Sequence, residues 1–185
     1  DGEILVRGEL VMLGYWQNPR DSAAALADGW LHTGDIGHLD KRGRIVITDR
    51  KKDIIVNDKG DNVAPQKLEG MLTLQPEIAQ AMVSGDKRPF MVALLVPDAD
   101  WALQWARANG EKFDLAQLGG LPAFRSAMKA AVERTNTQLS VIEKLRKFEL
   151  ADAPFSVDNN QLTPTMKIRR HQIRAIYGDR LDALY

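Results

Sequence analysis

The chain has 185 residues, no cysteine, and 25 basic against 25 acidic side chains. That length can build an ordinary domain core, while the missing cysteine excludes disulfides, thiolate metal sites and a thiol nucleophile. Balanced charge argues against a domain whose main work is to neutralise a polyanion, and no apolar run approaches the roughly 18 residues that a membrane-spanning helix needs.

The first residues, Asp1-Gly-Glu-Ile-Leu-Val-Arg7, carry neither an initiator Met nor a signal segment and read as strand, so the chain is expected to be a piece of a longer polypeptide. Residues 1–50 are expected to be β-rich. Glu3–Arg7 is a short strand, Gly14-Tyr-Trp-Gln-Asn-Pro19 is loop chemistry, and Asp21–Leu26 suits one or two helical turns behind an acidic cap. Trp30–Leu39 and Arg44–Thr48 then bracket Asp40-Lys-Arg-Gly43, a hairpin whose Gly supplies the positive φ of a type I turn with a bulge.

From Lys52 the pattern changes. Asp53–Asn57 is a strand candidate, and Ala64–Thr73 predicts a helix with Pro65 in its first turn, ended by Pro76. Ile78–Ser84 and Phe90–Val96 predict two strands, the second apolar enough to be central and covered on both faces. Asp98 caps a helix running to Asn109, and Gly119-Gly-Leu-Pro122 is a break. Phe124, Ala127, Met128, Ala131, Val132, Thr135 and Leu139 recur at helical spacing, which predicts an apolar stripe laid on a sheet. Lys147–Ala151 is a third strand, and Ile173–Leu181 belongs to a final helix. Trp101 and Trp105, one turn apart, read as packing rather than as a lipid surface. The fold class is therefore α+β: residues 51–185 form a unit with about three strands flanked by helices, preceded by a β-rich segment, residues 1–50.

Self-contained hydrolase or nucleotide-hydrolysing chemistry finds no support. His32, His38 and His171 lack metal-ligand spacing, so no metal ligands are assigned, and neither a Gly-x-Ser-x-Gly elbow nor a Gly-rich phosphate loop is present. Three polar sites remain. In His32-Thr-Gly-Asp-Ile-Gly37 the glycines leave the Asp35 carboxylate on tight backbone, suited to a vicinal diol such as ribose; the same hexapeptide also serves as a hairpin turn with Asp as a local cap. Asp49-Arg-Lys-Lys-Asp53 offers the planar fork of Arg50 to a hydroxyl or phosphate, or is a solvated strand entrance. Asn159–Arg170 turns through Pro164 and presents Lys167, an ammonium that could meet developing negative charge, or merely an exposed basic helix start.

Taken together and in order, Gly2-Glu-Ile-Leu-Val-Arg-Gly-Glu9 through Gly14-Tyr-Trp16, Asp28-Gly-Trp-Leu-His-Thr-Gly-Asp35, Gly43-Arg-Ile-Val-Ile-Thr-Asp-Arg-Lys-Lys-Asp53, Asn62-Val-Ala-Pro-Gln-Lys-Leu-Glu69 and Leu162-Thr-Pro-Thr-Met-Lys167 resemble the later signature motifs of the adenylate-forming acyl-CoA synthetase superfamily, the AMP-binding enzymes. The variant is similar to bacterial long-chain fatty acid–CoA ligases, and the resemblance covers essentially the whole chain. It implies an acid–thiol ligase in the full-length parent, with fatty acid, ATP and CoA as substrates and a mobile C-terminal domain that alternates between acyl-adenylate and thioester formation. The isolated chain, comprising that domain and the end of the large N-terminal domain, is then expected to be inactive. Mg²⁺ would act on the phosphates through ligands outside this chain.

Residue by residue, the resemblance implies that Asp35, assisted by Arg50, binds the ribose hydroxyls of ATP or AMP, that Lys52 is the hinge, that Lys167 is catalytic in adenylation, and that Gly60 borders the pantetheine passage. Two positions depart from common patterns: Met166 stands where many members have Gly, as in the long-chain subgroup, and Lys59 where that subgroup often has a second Gly. The expected location is cytoplasmic or peripheral on the inner face of a membrane. Competing readings are a stand-alone regulatory or interaction domain derived from such a ligase, and a nucleic-acid-binding module using Arg50-Lys51-Lys52 and the basic residues from Lys167 to Arg174, against which the zero net charge counts.

Overall fold

In the computed structural model, which describes residues 2–185, the first part of the chain is organised by a ten-residue strand, β3 (Trp30–Leu39). It pairs antiparallel with β1 (Glu3–Val6), β2 (Leu26–Ala27) and β4 (Ile45–Arg50). Leu31 is shared by Val6 and Leu26, and Ile36 by Glu3 and Asp49, so β2 and β4 lie end to end on the edge of β3 that faces away from β1. The expected hairpin is present: Gly43 N–H donates to Asp40 O and Asp40 N–H to Arg44 O, both at 2.9 Å, with Gly43 at φ +74°. The short helix α1 (Pro19–Ala25) begins earlier than its acidic residue suggests. Asn18, not Asp21, is the cap, accepting the Asp21 N–H at 3.1 Å, because Pro19 fits a first turn that leaves its nitrogen without a partner.

A separate compact unit spans Ile55–Tyr185, the other ending at Ile54. It opens with a two-stranded hairpin of β5 (Ile55–Val56) and β6 (Asn62–Val63). The strand expected over Asp53–Asn57 is cut to two residues. Asp53 and Ile54 turn back to donate to Arg50 O, and Asn57 Oδ1 accepts from Lys59 and Asp61 N–H at 2.9 and 2.8 Å, so both ends of the segment bond locally instead of joining a ladder.

After α2 (Pro65–Leu72) comes a three-stranded sheet in the order β7 (Ile78–Ser84), β8 (Met91–Pro97), β9 (Leu145–Leu150). The β7–β8 pair is antiparallel and the β8–β9 pair parallel, which demands a crossover. Helices α3 (Ala99–Ala108), α4 (Leu115–Gly120) and α5 (Pro122–Asn136) supply it. Asp98 caps α3 through Trp101 N–H at 2.9 Å, as expected. The helix α4 lies outside the sequence expectation: its six residues are too few for a periodic stripe, although Asp114 caps it and the Gly pair forms its end.

Every residue of β8 is buried, and the two-residue alternation of a strand divides its side chains between two cores. Met91, Ala93 and Leu95 join Leu68, Leu72, Ala102, Phe124 and Met128; Val92, Leu94 and Val96 join Phe155, Leu162 and, from the last helix α6 (Arg170–Asp182), Ile173, Tyr177 and Leu181. Trp101 and Trp105 pack on Phe124 with ring centroids 5.4 and 5.1 Å apart, so the pair belongs to the core. Asn136, buried at the end of α5, donates to Leu145 O and accepts from Leu145 N–H, both at 2.9 Å, and so sets where β9 begins. Among the described residues no helix is long and apolar enough to cross a membrane.

Candidate functional site

The two compact units carry separate sets of candidate residues. In the first, Asp35 on β3 and Arg50 at the end of β4 are cross-strand partners, and Arg50 Nη1 donates to Asp35 Oδ1 at 2.5 Å. The register shifts between Ile36 and Gly37, and it can do so because Gly37 has no side chain: a Cβ there would lie 2.6 Å from Val46 O. The Asp35 side chain keeps a quarter of its surface exposed, and among the described residues no protein group donates to its second carboxylate oxygen. An anion fixed at one oxygen and open at the other can accept hydroxyl hydrogens.

Close to Asp35 lies Glu3, a residue of the Gly2–Glu9 motif. Its side chain is nearly buried. Oε1 accepts Gly34 N–H at 3.0 Å, and Oε2 faces Lys51 Nζ at 2.8 Å and His32 Nδ1 at 3.2 Å. Lys51 first and His32 second hold its carboxyl down to about 2. Thr33 Oγ1 donates to Ile4 O at 2.7 Å and accepts Asp35 N–H at 3.1 Å, while Lys51 N–H donates to Gly34 O at 2.8 Å. Residues 33, 34 and 35 are thus each tied to a neighbouring strand or side chain, and the orientation of Asp35 follows from them. Glu3 was hidden in sequence because its partners lie 29 to 48 residues away.

Lys52 is exposed in the turn that follows β4, where Asp53 and Ile54 N–H both donate to Arg50 O at 2.9 and 3.2 Å.

In the second unit, Gly60 sits in the β5–β6 turn at φ +87°, with Gly60 N–H donating to Asn57 O at 3.1 Å. A Cβ built there meets nothing within 4 Å, so space beside it is open. Lys59, next to it, is exposed, and its N–H donates to Asn57 Oδ1 at 2.9 Å.

Lys167 lies at the end of a tight turn. Met166 N–H donates to Thr163 O at 2.8 Å, Thr163 N–H to Lys167 O at 2.8 Å, and Lys167 N–H to Thr163 Oγ1 at 3.0 Å. Leu162 and Ile168 bridge below it. Met166 adopts φ +61°, the left-handed conformation in which glycine is least strained, which gives a physical meaning to the Gly-to-Met departure seen in the motif. The Lys167 side chain is exposed and its amine has no hydrogen-bond or ion-pair partner among the described residues.

Three residues on, Arg170 makes a forked pair with Glu69 of α2, Nη1 to Oε1 at 2.6 Å and Nη2 to Oε2 at 2.7 Å. The same Glu69 Oε1 accepts Val83 N–H at 2.8 Å, and Arg170 Nη1 also reaches Val83 O at 3.3 Å. The sequence does not pair these two residues, since they are 101 positions apart. Among the described residues no group of three His, Asp or Glu side chains could hold a metal ion.

Across its whole length the chain is 40% identical to Long-chain-fatty-acid–CoA ligase FadD15 of Mycobacterium tuberculosis and 35% identical to human Long-chain-fatty-acid–CoA ligase 1, and it spans 31% and 27% of those proteins. The structure is similar to the A-PCP didomain of carboxylic acid reductase from Segniliparus rugosus, solved in complex with AMP, with a TM-score of 0.82 and 29% identity over 100% of this chain and 24% of that one. O-succinylbenzoate coenzyme A synthetase of Bacillus subtilis, also solved with AMP, gives a TM-score of 0.63 and 25% identity over 93% of this chain and 30% of that one. Residues 52–185 match the family model described as the AMP-binding enzyme C-terminal domain, and the chain belongs to that family.

Proposed function

We propose that this chain is the C-terminal part of an ATP-dependent ligase that activates a fatty acid, of the long-chain class, as its acyl-adenylate and then transfers the acyl group to CoA. In the first step a carboxylate oxygen bonds to the α-phosphorus of ATP and pyrophosphate leaves. In the second the CoA sulfur bonds to the acyl carbon and AMP leaves. The observation that carries the reading is the Lys167 turn, whose backbone is closed by three hydrogen bonds while its ammonium has no partner among the described residues. Carboxylate attack on phosphate gathers negative charge between two anions, and one preorganised donor there is worth about 3–4 kcal/mol of barrier.

Asp35, oriented through residues 33 and 34 and paired with Arg50, is the acceptor for the ribose hydroxyls. Once the adenylate exists Lys167 has no further work, and a change of pose about the exposed turn at Lys52 would remove it and admit the thiol past Gly60. The domain division that goes with this mechanism is 1–50 with the nucleotide and 51–185 with Lys167. Mg²⁺ would bind the ATP phosphates, with its protein ligands elsewhere in the polypeptide. A cytoplasmic enzyme, in peripheral contact with the inner face of a membrane, suits a fatty acid and CoA as substrates.

The test is a fatty-acid-dependent ATP–pyrophosphate exchange assay, followed by thioester detection, on the complete polypeptide and on the 185-residue chain. Exchange and acyl-CoA are expected from the former and neither from the latter. Exchange by the short chain alone, or none from the complete protein with any fatty acid, overturns the reading.

A further inference from the structure

The Lys167 amine has no partner among the described residues, yet the chain on either side of it is firmly fastened. On the N-terminal side, Gln80 clasps Phe155, its Nε2 donating to Phe155 O at 3.0 Å and its Oε1 accepting Phe155 N–H at 2.7 Å. On the C-terminal side stands the Glu69–Arg170 fork, with side chains only 10% and 22% exposed. Packing alone does not hold this turn down. A groove of about 230 Å³ runs beneath it, lined by Glu69, Thr73, Gln80, Leu162, Met166 and Ile168. Side chains along such a space lack contact atoms on one side.

A buried ion pair is seldom chosen for stability, because removing two charges from water offsets most of their attraction, and apolar residues of similar volume often serve as well. What the fork supplies is direction. Four hydrogen bonds converge from Glu69 and Arg170 on each other and on the backbone of Val83 in β7, so the first residue of α6 is fixed in both position and rotation. Lys167 is three residues away, joined through the Leu162–Ile168 bridge and the Arg169 N–H bond to Gln161 O at 2.9 Å.

We infer that Glu69 and Arg170 are positioning residues for Lys167: their largely buried fork locks the root of the turn, so that a flexible four-carbon side chain is delivered from a fixed point. The inference rests on the proposed role of Lys167 in adenylation. It does not require either residue to touch substrate. Arg170→Lys keeps the charge but loses the planar fork, and Glu69→Gln keeps the shape but loses the charge.

Both variants, with Lys167→Ala in parallel, are to be made in the complete polypeptide. Pyrophosphate exchange at saturating substrates and thioester formation from supplied acyl-adenylate are then measured separately. A misplacement near 1 Å costs up to about 100-fold, so adenylation is expected to fall at least about tenfold in both fork variants, with the KM for ATP and the thioester step within about twofold of the unmodified enzyme. If Lys167→Ala is selective for adenylation but the fork variants lower both steps alike, or neither, the positioning role is wrong and the function of Lys167 stands. If Lys167→Ala itself lacks selectivity, the underlying reading falls and this inference with it. Should Glu69→Gln fold poorly, Arg170→Lys decides by the same ratio of the two half-reactions.

Discussion

Around Asp35 the polar groups are matched one to another: Arg50 on its carboxylate, Thr33 on its amide, and Glu3 between Gly34, Lys51 and His32. Around Lys167 only the backbone is matched, and the side chain ends in solvent. The first arrangement suits a group that binds a neutral diol in a standing geometry, where fixed orientation matters and no motion is wanted. The second suits a donor needed at one transition state and unwanted at the next. Rigidity in both cases resides in the support, and only in the second is the tip left loose.

Removing the loose tip should produce the largest effect. Lys167→Ala in the complete protein is expected to slow pyrophosphate exchange by about 100- to 1000-fold, while thioester formation from supplied adenylate is spared; equal losses in both steps would erase the contrast. Asp35→Ala comes next. A hydrogen bond to a charged group contributes about 1.5–3 kcal/mol, so AMP affinity measured by calorimetry should fall about 10- to 100-fold, and an unchanged affinity would remove Asp35 from the ribose site. Lys52→Pro tests the proposed pivot. Proline imposed on a pose it does not fit costs more than about 1 kcal/mol, which would slow the CoA-dependent step at least about fivefold and exchange much less. Loss confined to exchange would contradict that assignment.

The smallest effect concerns Glu3. Its folded carboxyl is held down to about 2 from an ordinary 4.5, so its contribution to stability is present above pH 4.5 and is lost as pH falls toward 2. Glu3→Gln should therefore lower the Tm of the chain at pH 7, with the difference from the parent narrowing below pH 4.5 and closing near 2. A difference that persists unchanged at pH 2 would mean that the Lys51 and His32 contacts are not its source.

Much of the fold could be read in advance because its signals are local. The Asp40–Gly43 turn, the Asp98 cap and the apolar run of β8 each depend on a few adjacent residues, and each formed as expected. The stripe on α5 held through Thr135, while Leu139 is buried beyond the helix end at Asn136. The strand at Asp53–Asn57 was overstated because propensity favours it but Asn57 bonds to its own turn, and α4 was missed because six residues carry no period.

The candidate residues Asp35, Arg50, Lys52, Gly60 and Lys167 could be named from motifs because each motif is a short run of sequence. Their support could not. Glu3 meets Lys51 across 48 residues and Glu69 meets Arg170 across 101, and although both acids lie in motifs, nothing local says which cation each will meet. Sequence determined which side chains can accept a hydroxyl or donate to phosphate, since that is a property of the residue. The tertiary structure alone decided which carboxylate would meet which cation, because that depends on strand register and helix packing that bring distant residues within 3 Å.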